Sequence, residues 1–247
     1  MAVLRAVPLF LFLVFLCLSF VPLRVLSKRL AQRWAWYGYG VLLRILSIST
    51  SVQGKKDARA QMLVCNHTSY LDILILGNAL NVPFVSKAEV AKWPFVGWVA
   101  RGMDTFFVTR HRARVAAEVK KLTKTLGKGR PPILFAEGTS GDGINVLPFK
   151  SGFFPTPDED GDVYIQPVSL LLTSLNGFPA PAFIKKSYGW RGDQSLMEHV
   201  ILLLRLGAFQ AKVVLHPVVQ AKGFQTRAEL ASAVRTAVAK PFQVAAA

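Results

Sequence analysis

From Ala6 to Leu23 the chain carries no charged side chain, and Leu9 through Leu16 form an unbroken apolar run. Wound as a helix, this stretch reaches roughly 27 Å, about what is needed to cross bilayer hydrocarbon. Whatever the rest folds into must therefore fold beside a lipid anchor. Arg5 precedes the run and Arg24, Lys28, Arg29 and Arg33 follow it. The heavier basic flank predicts an anchor in the inner, cytoplasmic membrane, with the remainder of the chain on the cytoplasmic side. A cleaved leader is the competing reading, but no small-x-small site precedes the basic residues.

The next stretch holds Trp34, Trp36, Tyr37 and Tyr39, then Val41, Leu42, Leu43, Ile45 and Leu46 around Arg44. Aromatics of this kind favour the headgroup layer, so a second helix is expected on or in the membrane beside the first. Residues 1–50 are thus expected to be an anchoring helix pair, by length equally able to span or to sit in one leaflet. Composition agrees: charged residues are 18% of the chain, against about a quarter in average soluble domains. The net charge of +16 suits nucleic acid, an anionic membrane or an acidic carrier protein. No nucleic-acid-binding module appears, and the early basic residues flank apolar segments, which ranks nucleic acid last. Cys17 lies in the apolar run and Cys65 far from it, so no disulfide is expected. His67, His111, His199 and His216 form no cluster of ligand spacing, so no metal is expected either.

Ser51 to Arg59 is polar and reads as a linker, extending to residue 61. Beyond it, residues 62–247 are expected to form one domain. Met62 to Cys65, Phe84 and Val85, Thr105 to Val108, Ile133 to Phe135, Tyr164 to Val168 and Lys212 to Leu215 read as strands. Leu71 to Leu80, Ala88 to Arg101 and Arg112 to Leu126 read as helices. Such alternation predicts an α/β fold with a mixed central sheet flanked by helices. Near the end, Thr226 and Glu229 make a capping box before Leu230, Val234 and Val238 on one helical face.

Chemistry enters with Asn66-His67-Thr68-Ser69-Tyr70-Leu71-Asp72. On a continuous helix, residues five apart point roughly 140° away from each other, so His67 can meet Asp72 only from the loop before the helix. There the carboxylate can hold one imidazole nitrogen while the other takes a proton from a hydroxyl. The same residues also match a capping box in which Asp72 bonds the Ser69 amide and His67 is merely nearby. Spacing leaves both readings open. Further on, Arg110 leaves a strand entered from Gly102, where its guanidinium can grip an anionic group or simply be solvated. Glu137-Gly138-Thr139-Ser140 follows an apolar strand, and the glycine lets backbone approach a ligand closely. Lys150 offers another cation near that turn.

Four blocks in order carry a resemblance: His67 with Asp72, Gly102 to Arg110, Phe135 to Thr139, and Ile165-Gln166-Pro167-Val168. Together they resemble the four motifs of the glycerolipid acyltransferase family typified by 1-acylglycerol-3-phosphate O-acyltransferase. The resemblance covers about Met62 to Val219. It implies transfer of a fatty acyl group from a thioester, acyl-ACP or acyl-CoA, to a lysolipid hydroxyl at the membrane, with no other cofactor. His67 would be the general base and Asp72 its orienter, while Arg110, Glu137, Gly138, Thr139, Ser140 and Lys150 would bind the acceptor. Lys87-Ala88-Glu89 with Trp93, Phe95, Val96 and Trp98 are also similar to the family, as acyl-chain or membrane contacts or as core. Many family members with a phosphate-bearing acceptor carry arginine where this chain has Ser140. Loss of that cation removes a contact of about 1.5 to 3 kcal/mol and favours the branch that acylates lyso-ornithine lipid, whose head is an amino acid, narrowly over a 1-acylglycerol-3-phosphate acyltransferase making phosphatidic acid, since Arg110 and Lys150 could still serve a phosphate. The partners implied are membrane lipid, a lysolipid acceptor and an acyl carrier protein. A non-catalytic membrane protein that binds lipid is the alternative of another class, and it would not need His67 near Asp72.

Overall fold

The computed structural model describes residues 2–93, 96–109, 118–119, 121–127, 129–157, 162–190 and 194–244. Helix α1 (Ala2–Leu26) buries Leu9, Leu16 and Phe20, a stripe along one side. Phe10, Leu11, Phe15, Leu18, Val25 and Leu26 on its other sides stay exposed. Helix α2 (Lys28–Ile45) begins at Ser27, whose hydroxyl accepts from the Leu30 amide, and packs Ala31, Ala35 and Gly38 inward. At Gly38 a Cβ would fall 2.6 Å from Leu16 Cδ1, so glycine is what allows the two helices to approach.

Among the described residues one helix, Arg5–Leu26, is long and apolar enough to cross a membrane. The expected anchoring pair is therefore corrected to one candidate span with an amphipathic companion. Lys28, Arg29, Arg33 and Arg44 recur on the exposed side of α2, while Tyr39, Leu42 and Leu43 are buried. Its apolar stripe faces protein instead of lipid.

The main sheet runs β1 (Ile48–Gln53), β8 (Phe209–Leu215), β6 (Tyr164–Leu175), β2 (Met62–Cys65), β5 (Ile133–Phe135). The β6–β8 pairing is antiparallel and the other pairings along this path are parallel, which makes the sheet mixed. β7 (Phe178–Pro179) and β9 (Val219–Gln220) add short antiparallel pairings to the two ends of β6. β3 (Val85–Lys87) and β4 (Phe106–Val108) form a separate parallel pair, joined to the main sheet by a bridge from Phe84 to Ile133.

Every side chain of β2 is buried, and successive ones point to opposite faces. Leu63 and Cys65 pack with Leu71, Ile75 and Val168 on one side. Met62 and Val64 pack with Leu134, Ile165, Leu230 and Val234 on the other. The first layer is α3 (Leu71–Leu80), and the second includes α7 (Arg227–Val244), whose Thr226 cap accepts from the Glu229 amide. Leu9, Leu16, Leu42 and Leu43 join the same cluster as Leu63 and Cys65, so the N-terminal helices share a core with the sheet.

Three expectations change. Residues 51–53, read as linker, continue the edge strand β1, because alternating Ser and Thr on an exposed edge give no apolar signal. The linker proper starts at Gly54, where φ is +86° and a Cβ would sit 2.4 Å from the Leu215 carbonyl. The helix expected over Ala88 to Arg101 is split into a 3-10 turn (Ala88–Lys92) and α4 (Val96–Gly102). Trp93, which precedes Pro94 in the chain, is extended at φ −68° and ψ 131°, as a residue before proline prefers. Of the helix expected over Arg112 to Leu126, residues 112–117 and 120 lie outside the described residues, 118–119 and 121–123 are helical, and 124–126 form a turn. The sequence also hid two helices, α5 (Ala182–Tyr188) and α6 (Leu196–Leu206).

Candidate active site

Strand β2 delivers the chain to the carboxyl end of the parallel part of the sheet, the usual place for ligands in such folds. Asn66 then locks the exit: its side-chain amide donates to the Leu170 carbonyl at 2.9 Å and its oxygen accepts from the Leu170 amide at 2.8 Å. The side chain thereby prolongs the ladder to β6 by one residue. His67 comes next, already in the loop, with its carbonyl accepting from the Gly141 amide at 2.7 Å. Its ring stacks on Phe135 at 4.2 Å and 21°.

Asp72 sits in the first turn of α3 and is fully buried. Its Oδ2 lies 2.9 Å from His67 Nδ1 and accepts from the Thr68 and Ser69 amides at 2.6 and 3.0 Å. The base reading and the capping reading are one arrangement, since a single carboxylate oxygen caps the helix and meets the ring. An ionised carboxylate only accepts, so Nδ1 carries the proton and Nε2 carries the lone pair. Among the described residues no hydrogen-bond partner meets Nε2, and the His67 side chain is 20% exposed. The other Asp72 oxygen accepts from the Tyr188 hydroxyl at 3.2 Å.

Glu137 follows β5 and is buried beneath His67, accepting from the His67 amide at 3.2 Å. Its second oxygen has no hydrogen-bond partner among the described residues. Burial, reinforced by the nearby Asp72 charge, pushes its pKa up to about 8 against the bonds from the His67 and Leu147 amides. At neutral pH this carboxyl is mostly protonated.

Gly138 takes φ +70°, and a Cβ there would stand 2.9 Å from Lys150 Nζ, so Lys150 lies over this turn. Lys150 and Thr139 are exposed and Ser140 is half-buried. The structure thus gathers His67, Asp72, Glu137, Gly138 and Lys150 around one loop, with Thr139 and Ser140 adjoining in sequence. Arg110, with His111 to Arg114, lies outside the described residues. Of the other residues singled out in sequence, Trp93, Val96 and Trp98 are 49%, 50% and 58% exposed, which removes core packing as their reason. Gln166 points away from His67, pinning the Lys55 and His216 carbonyls at 2.9 and 3.0 Å.

Sequence reasoning missed Tyr188, and nothing local could reveal it, since 116 positions separate it from Asp72. It also missed His199, fully buried in α6, with Nδ1 3.2 Å from the Tyr70 hydroxyl and Nε2 3.1 Å from the Ser187 carbonyl.

A buried-carboxylate imidazole with an open nitrogen, at the mouth of a mixed α/β sheet beside an apolar helix, is a site that can take a proton from an alcohol at a membrane. Comparison with known proteins gives the class a family. Residues 49–171 match the model of the Acyltransferase family. The lyso-ornithine lipid O-acyltransferase of Rhodobacter capsulatus is 38% identical over 204 residues, covering 80% of this chain and 71% of that protein. The lyso-ornithine lipid O-acyltransferase of Rhizobium meliloti is 32% identical over 215 residues, covering 81% and 73%. A 1-acyl-sn-glycerol-3-phosphate acyltransferase of Helicobacter pylori is 30% identical but covers 53% of this chain and 57% of its own. The crystal structure of the 1-acyl-sn-glycerophosphate acyltransferase of Thermotoga maritima shares the fold, with TM-score 0.66 at 20% identity over 100% and 98% of the two chains. The chain belongs to the acyltransferase family. It is an enzyme of lipid biosynthesis, its substrates are lipids, and its apolar first helix associates it with the membrane.

Proposed function

We propose that this enzyme is a lysolipid O-acyltransferase that uses lyso-ornithine lipid as acceptor and an acyl thioester, on acyl carrier protein or coenzyme A, as donor. Catalysis takes place on the cytoplasmic side of the membrane. His67 Nε2 removes the proton of the acceptor hydroxyl as its oxygen attacks the thioester carbonyl. The tetrahedral intermediate collapses by breaking the carbon–sulfur bond, and the imidazolium returns the proton to the departing thiolate. Products are the O-acylated lipid and a thiol, with no acyl-enzyme. Asp72 holds the Nδ1–H tautomer and stabilises the imidazolium. The observation that carries this reading is the 2.9 Å contact of His67 with a fully buried carboxylate already held by two backbone amides.

For the acceptor, we place the head over the Gly138 turn, with Lys150 pairing with the carboxylate of the amino-acid head and Thr139 and Ser140 beside it. Two features support an amino-acid head over a phosphate. Ser140 supplies no cation where many phosphate users carry arginine, and the sequence relatives that match about 80% of this chain at 38% and 32% identity are named for lyso-ornithine lipid. Membranes containing the enzyme, given labelled acyl donor, are to be incubated separately with lyso-ornithine lipid and with 1-acylglycerol-3-phosphate. Faster product formation on lyso-ornithine lipid is expected. Equal or greater product on the phosphate acceptor would overturn the assignment.

A further inference from the structure

The two oxygens of Asp72 are held differently. Oδ2 collects the imidazole and two amides, while Oδ1 faces, among the described residues, one side-chain donor, the hydroxyl of Tyr188 at 3.2 Å. Tyr188 ends α5 and is only 3% exposed, with its ring tilted against Phe209 at 6.0 Å. A phenol buried this completely, with its one proton directed at a buried carboxylate, fixes the rotation of that carboxylate about its last bond. Without it, Oδ1 would have no side-chain donor among the described residues, and the two amide bonds to Oδ2 would alone hold the group against rotation.

The surroundings hold Tyr188 in register. The Trp190 amide donates to the Thr68 carbonyl at 3.0 Å, and a Cβ on Gly189 would stand 3.0 Å from the Gly141 carbonyl. Behind the segment, His199 meets the Ser187 carbonyl at 3.1 Å and the Tyr70 hydroxyl at 3.2 Å. Tyr70 in turn meets the Trp190 ring edge-on at 5.7 Å. Residues 187–190 thus lie against both the loop that carries His67 and the turn that follows Glu137. A tyrosine needed only for packing would have no reason to deliver its hydroxyl to the aspartate through so many fixed contacts.

We propose that Tyr188 is a positioning residue of the transfer reaction, acting through Asp72 to keep its carboxylate aligned with His67. The proposal rests on the reading of His67 and Asp72 as the working pair. Its effect belongs on kcat, because the hydroxyl is spent on the aspartate and the residue is only 3% exposed, and KM for donor and acceptor should stay within twofold.

The test is a double-mutant cycle in the full-length enzyme in membranes. Tyr188→Phe removes the donor and keeps the ring, and Tyr188→Met removes both while filling similar volume. Each is assayed alone and combined with Asp72→Asn, with the thermal midpoint followed in parallel. Both variants should lose about tenfold or more in kcat in the native background and less than threefold in the Asp72→Asn background. Losses that multiply in the two backgrounds, that appear in KM, or that follow the thermal midpoint would overturn the proposal. So would failure of both variants to fold, which would assign the hydroxyl to folding. If Asp72→Asn by itself leaves kcat intact, the catalytic reading fails instead, and the two failures are told apart within one experiment.

Discussion

Replacing Glu137 by glutamine should make the enzyme more stable in mild alkali and barely change it in mild acid. The folded carboxyl keeps its proton to about pH 8, against an ordinary value of 4.5, because it is buried with one oxygen unpartnered and Asp72 nearby. Unfolded, it gives the proton up near its ordinary value. Between those two points the folded state binds the extra proton, so stability falls as pH rises from about 4.5 to 8 and then levels off. The full shift corresponds to at most about 5 kcal/mol, and relaxation around the site leaves about half of that expressed. Glutamine keeps the acceptor for the His67 amide and, like the protonated acid, places a hydrogen-bearing group where the second oxygen now lies. It never has to ionise. At pH 5 the two proteins should melt within a few degrees of each other. At pH 8.5 the variant should melt higher by roughly 5 to 10 °C, at about 2 to 4 °C per kcal/mol for a chain of this size. Thermal unfolding of both proteins in detergent across pH 5 to 9 decides it. Parallel curves, or a variant that loses stability with rising pH as the native protein does, would refute the argument from burial.

Other perturbations follow from the same geometry. Asp72→Asn keeps the size of the side chain but removes the charge that steadies the imidazolium, so kcat should fall by about 10² to 10⁴-fold in the labelled-donor assay. Gly138→Ala puts a Cβ at φ +70° and 2.9 Å from Lys150 Nζ. The backbone strain is about 1 to 2 kcal/mol, and the acceptor KM should rise more than the donor KM in steady-state kinetics. Gly102→Ala would place a Cβ 2.4 Å from Phe20 Cζ at the contact between α4 and α1. Overpacking of about 1 to 3 kcal/mol should lower the melting temperature in detergent while kcat per folded enzyme stays unchanged.

Legibility from sequence tracked apolar periodicity. The strands of the buried centre, Met62 to Cys65 and Ile133 to Phe135, match their expected limits because each is a short unbroken apolar run, and α3 matches its limits with apolar residues at 71, 73–76, 79 and 80 around Asp72 and Asn78. The edge strand β1 did not announce itself, since Ser49, Thr50 and Ser51 face solvent or half-buried ground on an outer position of the sheet. In α2, hydropathy and aromatic content pointed to lipid, yet its apolar stripe is covered by α1 and α3, a tertiary fact that composition does not carry. The site divides the same way. His67, Asp72 and Glu137 could be named because the loop geometry is local or the resemblance supplied them. Tyr188, His199 and the Asn66 clamp onto Leu170 depend on elements brought together by the sheet from distant parts of the chain.

The central claim is that His67 takes the proton from the acceptor hydroxyl. Single-turnover transfer by His67→Ala, reading ester formation and thioester loss separately in membranes, tests it most directly. Ester formation is expected to fall by at least about 10²-fold while membrane attachment holds and the melting temperature drops by only a few degrees, because Asp72 keeps its two backbone amide donors when the ring is removed. Ester formation within tenfold of the native rate would show that another group removes the proton.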